Sequence, residues 1–271
     1  MVVQHNMQSM NANRQLGITT GNQGKVTEKL SSGYKINRAA DDAAGLTISE
    51  KMRSNIRGLT QASSNAQDGV SCVQTAEGAL TEVHSMLQRM NELAVKAANG
   101  TNPSADRVAI QSEISALTAE ISRVAESTQF NTLNLLTGSF TKAIQVGAAN
   151  RDEQRISIHI SAMNATGLNI KGISVSTSAK AQTSISKITQ AIAQVSRQRS
   201  DLGAIQNRLE HTIANLDNVV ENTTAAESQI RDTDMAKTMV EYTKNNILSQ
   251  AGTAMLAQAN QSTQNVLSLL G

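Results

Sequence analysis

The sequence predicts a mainly α-helical fold of long antiparallel coiled-coil helices forming a rod, with a small β-hairpin region. Composition provides the first indication, because the chain holds two Tyr, two Phe, no Trp and one Pro in 271 residues. Aromatic side chains dominate the cores of compact domains, so a thick globular core is not expected. Proline inside a helix costs about 3 kcal/mol or more, so its scarcity permits helices of unusual length.

The second indication is a seam of apolar residues in the C-terminal half. Steps of three and four residues alternate from Ile185 to Val220, with Arg199 and Gln206 as the polar members. This spacing is typical of a coiled coil. The predicted seam positions are Ile185, Ile188, Ile192, Val195, Arg199, Leu202, Gln206, Leu209, Ile213, Leu216 and Val220.

Two further seams precede it. The second seam runs from Met52 to Ala97 and changes register near Glu77, which locally alters supercoiling. The third runs from Ile110 to Val124, and can lie antiparallel on the second. Three packed helices are therefore expected.

The second and third helices are separated by Asn99–Pro103. Glycine is favoured just beyond a helix end and proline in the first helical position. The sequence therefore predicts a reversal of the chain, with Asn102 as the N-cap and Pro103 as the first residue of the third helix.

The apolar period changes to two between Thr137 and Thr177, as expected for strands. Ile144 and Val146 belong to the first strand, and Gly147–Asp152 forms the turn. Alternate isoleucines mark the second strand at Ile156, Ile158 and Ile160. A further short strand is expected at Ile173 and Val175.

The two ends of the chain are almost free of charge. Met1–Gly24 holds only Arg14 as a charged residue, and Asn245–Gly271 holds none. Both segments keep apolar side chains, and charge depletion is typical of the buried core of a protein–protein interface. We expect the ends to pair and to be buried only when many copies assemble. Before assembly they should be mobile.

Composition also excludes several functions. The net charge of +2 has no basic cluster, which argues against nucleic-acid binding. No apolar stretch reaches the roughly 18 residues of a membrane span. The first residues do not resemble a cleaved secretory signal, so these features alone indicate a soluble, cytoplasmic protein.

No catalytic or cofactor motif is recognisable. Asp41 and Asp42 could be paired carboxylates, but their position before an Ala/Gly/Leu helix start is typical of capping residues. The four histidines lack metal-ligand spacing, and Cys72 is interpreted as a small packing residue. We expect no enzyme activity, cofactor or metal.

The sequence closely resembles the bacterial flagellins, in their short form without variable outer domains. The resemblance extends over nearly the whole chain. It rests on five motifs: Leu30–Leu46 (LSSGYKINRAADDAAGL), Leu87–Thr101 (LQRMNELAVKAANGT), Thr128–Asn131 (TQFN), Gln258–Gln261 (QANQ) and Val266–Leu270 (VLSLL).

The resemblance implies a domain organisation. Residues 1–42 and 231–271 would be the N- and C-terminal helices of an inner tube. Residues 43–136 and 181–230 would be the two halves of a surrounding helical rod, and residues 137–180 its β-hairpin region. Leu256, Val266, Leu267, Leu269 and Leu270 would take part in assembly of the inner tube.

The resemblance also implies partners and a location. The chain would be exported unfolded by the flagellar type III apparatus, with an export chaperone holding its C-terminal segment. It would then polymerise with copies of itself beneath a filament cap, next to hook-junction proteins. This replaces the cytoplasmic expectation with an extracellular flagellum and a role in motility.

A recognition surface is expected on the second and third helices. Gln88, Arg89, Leu93 and Glu113 match the region of flagellins that binds the host Toll-like receptor 5. The helical pattern places Arg89 beside an uncovered Leu93, a surface that also suits contact between axial subunits. The Leu267–Leu270 segment resembles the part read by cytosolic flagellin sensors.

The sequence leaves two alternatives open. A signalling coiled coil, such as a chemoreceptor hairpin, shares the Ala/Ser/Gln-rich composition, but the charge-free tail and the β-hairpin argue against it. A junction or minor filament protein would share the helices and the ends of a flagellin. Its abundance in purified filaments would distinguish it from a major subunit.

Overall fold

The computed structural model describes residues 6–138 and 140–267, with side chains through residue 262. It is mainly helical with small antiparallel sheets, which confirms the predicted fold class. The elements in order are α1 (Met7–Ser32), α2 (Ala43–Ala98), α3 (Ser104–Ser127), β1 (Gln129–Phe130), β2 (Leu133–Asn134), β3 (Phe140–Gln145), a short 3-10 helix (Asp152–Gln154), β4 (Arg155–Ile160), α4 (Ser178–Arg231) and α5 (Met235–Leu267).

The chain divides into two compact units. The terminal unit takes in the described residues of Met1–Ser54 and Glu221–Gly271, and the central unit takes in Asn55–Val220. Helices α2 and α4 contribute residues to both units.

The central unit is organised by the antiparallel pair α2 and α4. The Ser63 hydroxyl donates to the Asp217 carboxylate at 3.1 Å, and the Ser178 hydroxyl donates to the carbonyl of Ala98 at 2.8 Å. Sequence numbers fall along one helix as they rise along the other, so the two helices run in opposite directions.

The buried stripe of α4 partly follows the predicted seam. Ile188, Val195, Leu202, Leu209 and Leu216 are buried as predicted. Their companions differ, because Ala191 and Gln198 are buried while Ile192 and Arg199 are only half-buried. The spacing along α4 predicts one apolar seam, whereas α4 also packs on the segment that follows β4.

Gln198 shows why the stripe is rotated. Its side-chain oxygen accepts the peptide N–H of Ser161 at 3.1 Å, and its amide donates to the carbonyl of His159 at 3.0 Å. The side chain is 5% exposed. It satisfies two backbone groups at the end of β4, where the sheet supplies no further partner.

Two elements form the third layer of the central unit: helix α3 over one part of the α2–α4 pair and the β3–β4 hairpin over another. Helix α3 packs on α2 through a core that includes Ile114 and Ile121. Beyond α3, the β3–β4 hairpin covers α2 and α4, and Val146 and Ile156 pack with Ala66 and Leu209. The predicted three-helix packing is therefore correct only where α3 lies.

The predicted hairpin is confirmed. Strands β3 and β4 pair antiparallel with Ile144 opposite Ile156, and the isoleucines of β4 are buried while its intervening residues are exposed. The expected strand at Ile173 and Val175 is wrong. The Gln111 side chain supplies the bonds that a neighbouring strand would make, donating to Ile173 O at 3.0 Å and accepting from Val175 N at 2.7 Å.

Two turns also depart from expectation. The TQFN motif enters a small hairpin, β1–β2, whose turn residues Asn131 and Thr132 have φ of 46° and 65°. Asparagine tolerates this left-handed region, but a β-branched residue rarely adopts it. In the α2–α3 turn, Pro103 occupies the N-cap position, and the Asn102 side chain donates back to Lys96 O at 2.6 Å.

Replacement of Gln198 tests the bridging role directly. Gln198→Leu keeps the volume but leaves the Ser161 N–H and the His159 carbonyl without their partner. We expect the free energy of unfolding to fall by about 1–3 kcal/mol. Chemical denaturation followed by circular dichroism measures it. Gln194→Leu, at an exposed position of the same helix, is the control, and equal stability of the two variants would contradict the bridge.

Candidate assembly and recognition surfaces

The terminal unit consists mainly of the antiparallel pair α1 and α5. The Asn6 side-chain amide donates to Ala259 O at 2.9 Å, and the Ser9 hydroxyl donates to the Asn260 side-chain oxygen at 2.7 Å. Where the helices approach closely, a Cβ added at Gly252 would lie 3.2 Å from Leu16. The two ends of the chain therefore pair in the described residues of a single chain. Their burial on assembly stays a prediction.

This helix pair leaves much apolar surface uncovered. Val26 is the buried residue of α1, and its exposed fraction is 8%. Large apolar side chains are exposed along both helices: Met7, Met10, Ile18, Met235, Met239, Val240, Ile247, Leu248 and Met255. Between the helices lies an open groove lined by Leu16, Leu248, Gly252, Met255 and Ala259, among others.

The residues predicted to take part in inner-tube assembly belong to α5 or follow it in the sequence. Leu256 is half-buried in the helix pair. Val266 and Leu267 belong to the last helical turn, where the structure describes the backbone. Leu269 and Leu270 lie outside the described residues.

A small ordered junction holds the inner ends of α1 and α5 together. Gly33 ends α1 with a φ of 75°, and its carbonyl accepts the Thr233 N–H at 3.0 Å. Arg231 lies over the Tyr34 ring, with its guanidinium carbon 4.8 Å from the ring centroid, and donates to Glu50 at 2.9 Å. These polar contacts hold the neighbouring ends of the two helices together.

Asp42 caps the start of α2 as predicted, whereas Asp41 accepts backbone N–H groups that lie before the helix. Asp42 accepts the Gly45 N–H at 2.9 Å and so caps the start of α2. Asp41 accepts the N–H groups of Arg38 and Asn37, in that order of effect, which lowers the pKa of its carboxyl. A lowered pKa in the folded chain means that this contribution to stability is present above the ordinary Asp pKa and is lost as acid protonates the carboxylate.

The predicted recognition residues come together on α2 and α3. The Arg89 guanidinium contacts Glu113 at 3.0 Å and Glu92 at 3.2 Å, and both carboxylates, Glu113 first, raise the pKa of Arg89. Arg89 and Glu113 are about half exposed. Gln88 is also exposed, and its amide lies 3.0 Å from His84 Nε2.

Leu93 differs from the expectation, because it is not uncovered. Its exposed fraction is 4%, and it belongs to the same core cluster as Ile110 of α3. The sequence pattern placed Leu93 outside the seam between α2 and α4. The seam with α3 lies on that other side of α2, and covers Leu93.

Other sites of chemistry are not apparent in the described residues. No group of three or more His, Cys, Asp or Glu there could hold a metal ion, and no described helix is long and apolar enough to cross a membrane. Cys72 is buried, and burial raises the pKa of its thiol, so the neutral form is favoured.

Comparison with known proteins accounts for this arrangement. The family described as the bacterial flagellin N-terminal helical region matches residues 3–141, and the one described as the C-terminal helical region matches residues 185–270. A flagellin of Halalkalibacterium halodurans is 53% identical over the full length of both chains. Flagellin FlaB1 of Treponema pallidum is 50% identical, again over all of both chains.

Solved structures agree with the sequence comparison. The crystal structure of Bacillus cereus flagellin has 30% identity and a TM-score of 0.50, covering 56% of this chain and 88% of that one. A putative flagellar hook-associated protein from Vibrio parahaemolyticus shares the fold, with a TM-score of 0.59 at 14% identity over 71% of this chain and all of that one. The chain therefore belongs to the bacterial flagellins, a family of structural proteins of the flagellar filament and not of enzymes.

Proposed function

We propose that the chain polymerises through α1 and α5 to form the core of an extracellular flagellar filament used for motility. The uncovered apolar surface of these two helices carries this proposal. Residues 1–42 and 231–271 form the inner tube. Residues 43–136, 137–180 and 181–230 form the surrounding part of each subunit.

The exposed side chains can supply the free energy of assembly. Full burial of one such side chain stabilises by about 1.5–3 kcal/mol. Among the side chains that the structure describes, nine large apolar ones are exposed on the two helices, and association costs on the order of 4–15 kcal/mol in lost freedom. Burial between neighbouring copies can therefore exceed that cost, although not every residue becomes fully covered.

The same feature suits export of the unfolded chain. Helices α1 and α5 lose little buried surface when they unfold, so keeping them unfolded costs little free energy. We propose export through the flagellar type III apparatus, with an export chaperone on the C-terminal segment. Filament cap and hook-junction proteins would contact the chain during and after assembly.

We propose a second role for the exposed surface on α2 and α3, as a contact for Toll-like receptor 5 in the monomer and for an axial neighbour in the filament. Gln88, Arg89 and Glu113 present amide, cationic and anionic groups to solvent. Leu93 supports this surface from within the core instead of touching a partner.

Removal of the tail tests the assembly proposal. Deletion of residues 266–271 should abolish polymerisation, because it removes apolar residues from the end of α5, and should leave the central unit folded. Seeded polymerisation seen by electron microscopy, beside circular dichroism of the monomer, measures both effects. Normal filaments from the shortened chain would refute the role of the tail.

A point substitution separates assembly from folding more sharply. Ile247 is 61% exposed in the single chain, so Ile247→Asn should leave monomer unfolding unchanged while raising the concentration needed for polymerisation. A loss of about 1.5 kcal/mol per contact corresponds to roughly a tenfold rise. Thr243→Asn, at an exposed polar position one turn earlier, should polymerise as the parent protein does; equal polymerisation by Ile247→Asn would contradict the proposal.

Receptor contact has its own test. Arg89→Ala should lower activation of Toll-like receptor 5 by purified monomer, while the free energy of unfolding stays close to that of the parent protein, because exposed ion pairs stabilise little. Arg123→Ala is the matched control, since Arg123 also forms an exposed ion pair on these helices, with Glu120. Equal signalling by the two variants would remove Arg89 from the contact.

A further inference from the structure

The turn between α2 and α3 contains a chemically labile pair. Asn99 is followed by Gly100, the one Asn-Gly pair in the sequence. Helix α2 ends at Ala98 and α3 begins at Ser104, so the pair lies outside regular structure. Both residues are exposed. Water therefore has access to the Asn99 side chain and to the Gly100 peptide.

The local geometry favours attack by the backbone on the side chain. The Asn99 side-chain oxygen accepts the Thr101 N–H at 3.3 Å, which folds the side chain back over the Gly100 peptide and polarises its carbonyl. In the described structure, the Gly100 N–H donates no hydrogen bond. Nothing lies within 4 Å of the position where a Cβ would stand on Gly100.

We propose that Asn99 is a site of spontaneous deamidation. Base removes the proton of the Gly100 N–H, and the nitrogen attacks Cγ of Asn99 to close a five-membered succinimide. The bond from Cγ to the amide nitrogen Nδ2 then breaks, and Nδ2 takes up a proton and leaves as ammonia. Water then opens the ring at either carbonyl and gives aspartate or isoaspartate at position 99. The reaction needs only water and general base, and it converts a neutral amide into a carboxylate.

Arg107 is placed to accommodate the new charge. Its Nη2 donates to Asn99 O at 3.0 Å, and its Nε donates to Ala97 O at 3.0 Å. In the isoaspartyl product the main chain continues through Cγ, so the former backbone carbonyl carbon of residue 99 becomes the free carboxylate. The guanidinium then faces an anion in place of a carbonyl, so the turn can persist after modification.

Two other pairs in the sequence provide internal comparisons. Asn102 precedes Pro103, whose nitrogen bears no hydrogen and cannot form the succinimide. Asp68 precedes Gly69, but this pair lies inside α2 and Gly69 is buried against Leu209, so the helix holds its backbone. Position 99 should therefore react well before either of them.

The test is ageing of the full-length protein at mildly alkaline pH, followed by tryptic digestion and tandem mass spectrometry. Cleavage after Lys96 and Arg107 places Asn99 and Asn102 in one peptide. We expect the deamidation mass shift to accumulate at Asn99 and not at Asn102, faster at higher pH because the attacking nitrogen must lose its proton. Modification of both residues at equal rates would overturn the proposal.

Gly100→Ala provides the matched variant, because the open space at this position accepts a methyl group without a clash. The added Cβ hinders ring closure, and we expect at least about a tenfold slower reaction. An equal rate would exclude attack by the residue-100 nitrogen. Arg107 is tested by the unfolding midpoint. Ageing should leave the midpoint of the parent protein unchanged and should lower that of Arg107→Gln. Equal changes in the two proteins would show that Arg107 does not stabilise the modified turn.

Discussion

The limited burial that two helices can achieve shapes both units of the structure. A pair of helices buries the stripe between them and leaves the other faces to be covered by something else. In the central unit that cover is intramolecular, first from α3 and then from the β3–β4 hairpin. In the terminal unit, Met255 and Ile247 remain exposed although the helices are paired.

Polar side chains complete the central unit where regular structure ends. Gln198 and Gln111 each form hydrogen bonds with two backbone groups at the end of β4 or outside regular structure. Buried polar groups are stable only when they are bonded, so these glutamines allow the irregular segment after β4 to lie against helices. The segment buries Leu168 and Ile170 without forming a strand.

Periodic features were predictable from the sequence, and features that depend on a second partner were not. The α4 positions Val195 and Leu202 followed from heptad spacing, and the hairpin followed from alternating isoleucines. The burial of Leu93 and Gln198 did not follow, because the spacing of one apolar seam does not indicate which other element packs on the helix. Leu93 and Ile110 fall at helical spacing on neighbouring helices, which is the signal that could have indicated their contact.

The recognition and assembly surfaces were predictable to different extents. Charge depletion pointed to both ends of the sequence before any contact was known. The family resemblance grouped Arg89 with Glu113, and the reversal at Pro103 indicated only that α2 and α3 are antiparallel. The ion pair between the two side chains came from the structure. The contact of Tyr34 with Arg231 had no sequence pattern, because a single aromatic and a single cation far apart in the sequence carry no period.

Hydrogen exchange of backbone amides, compared between monomer and polymer, tests most directly whether assembly supplies the missing cover. We expect rapid exchange in α1 and α5 of the monomer, strong protection of both helices in the polymer, and protection of the α2–α4 seam in either state. Protection of α1 and α5 in the monomer equal to that of the seam would contradict this expectation.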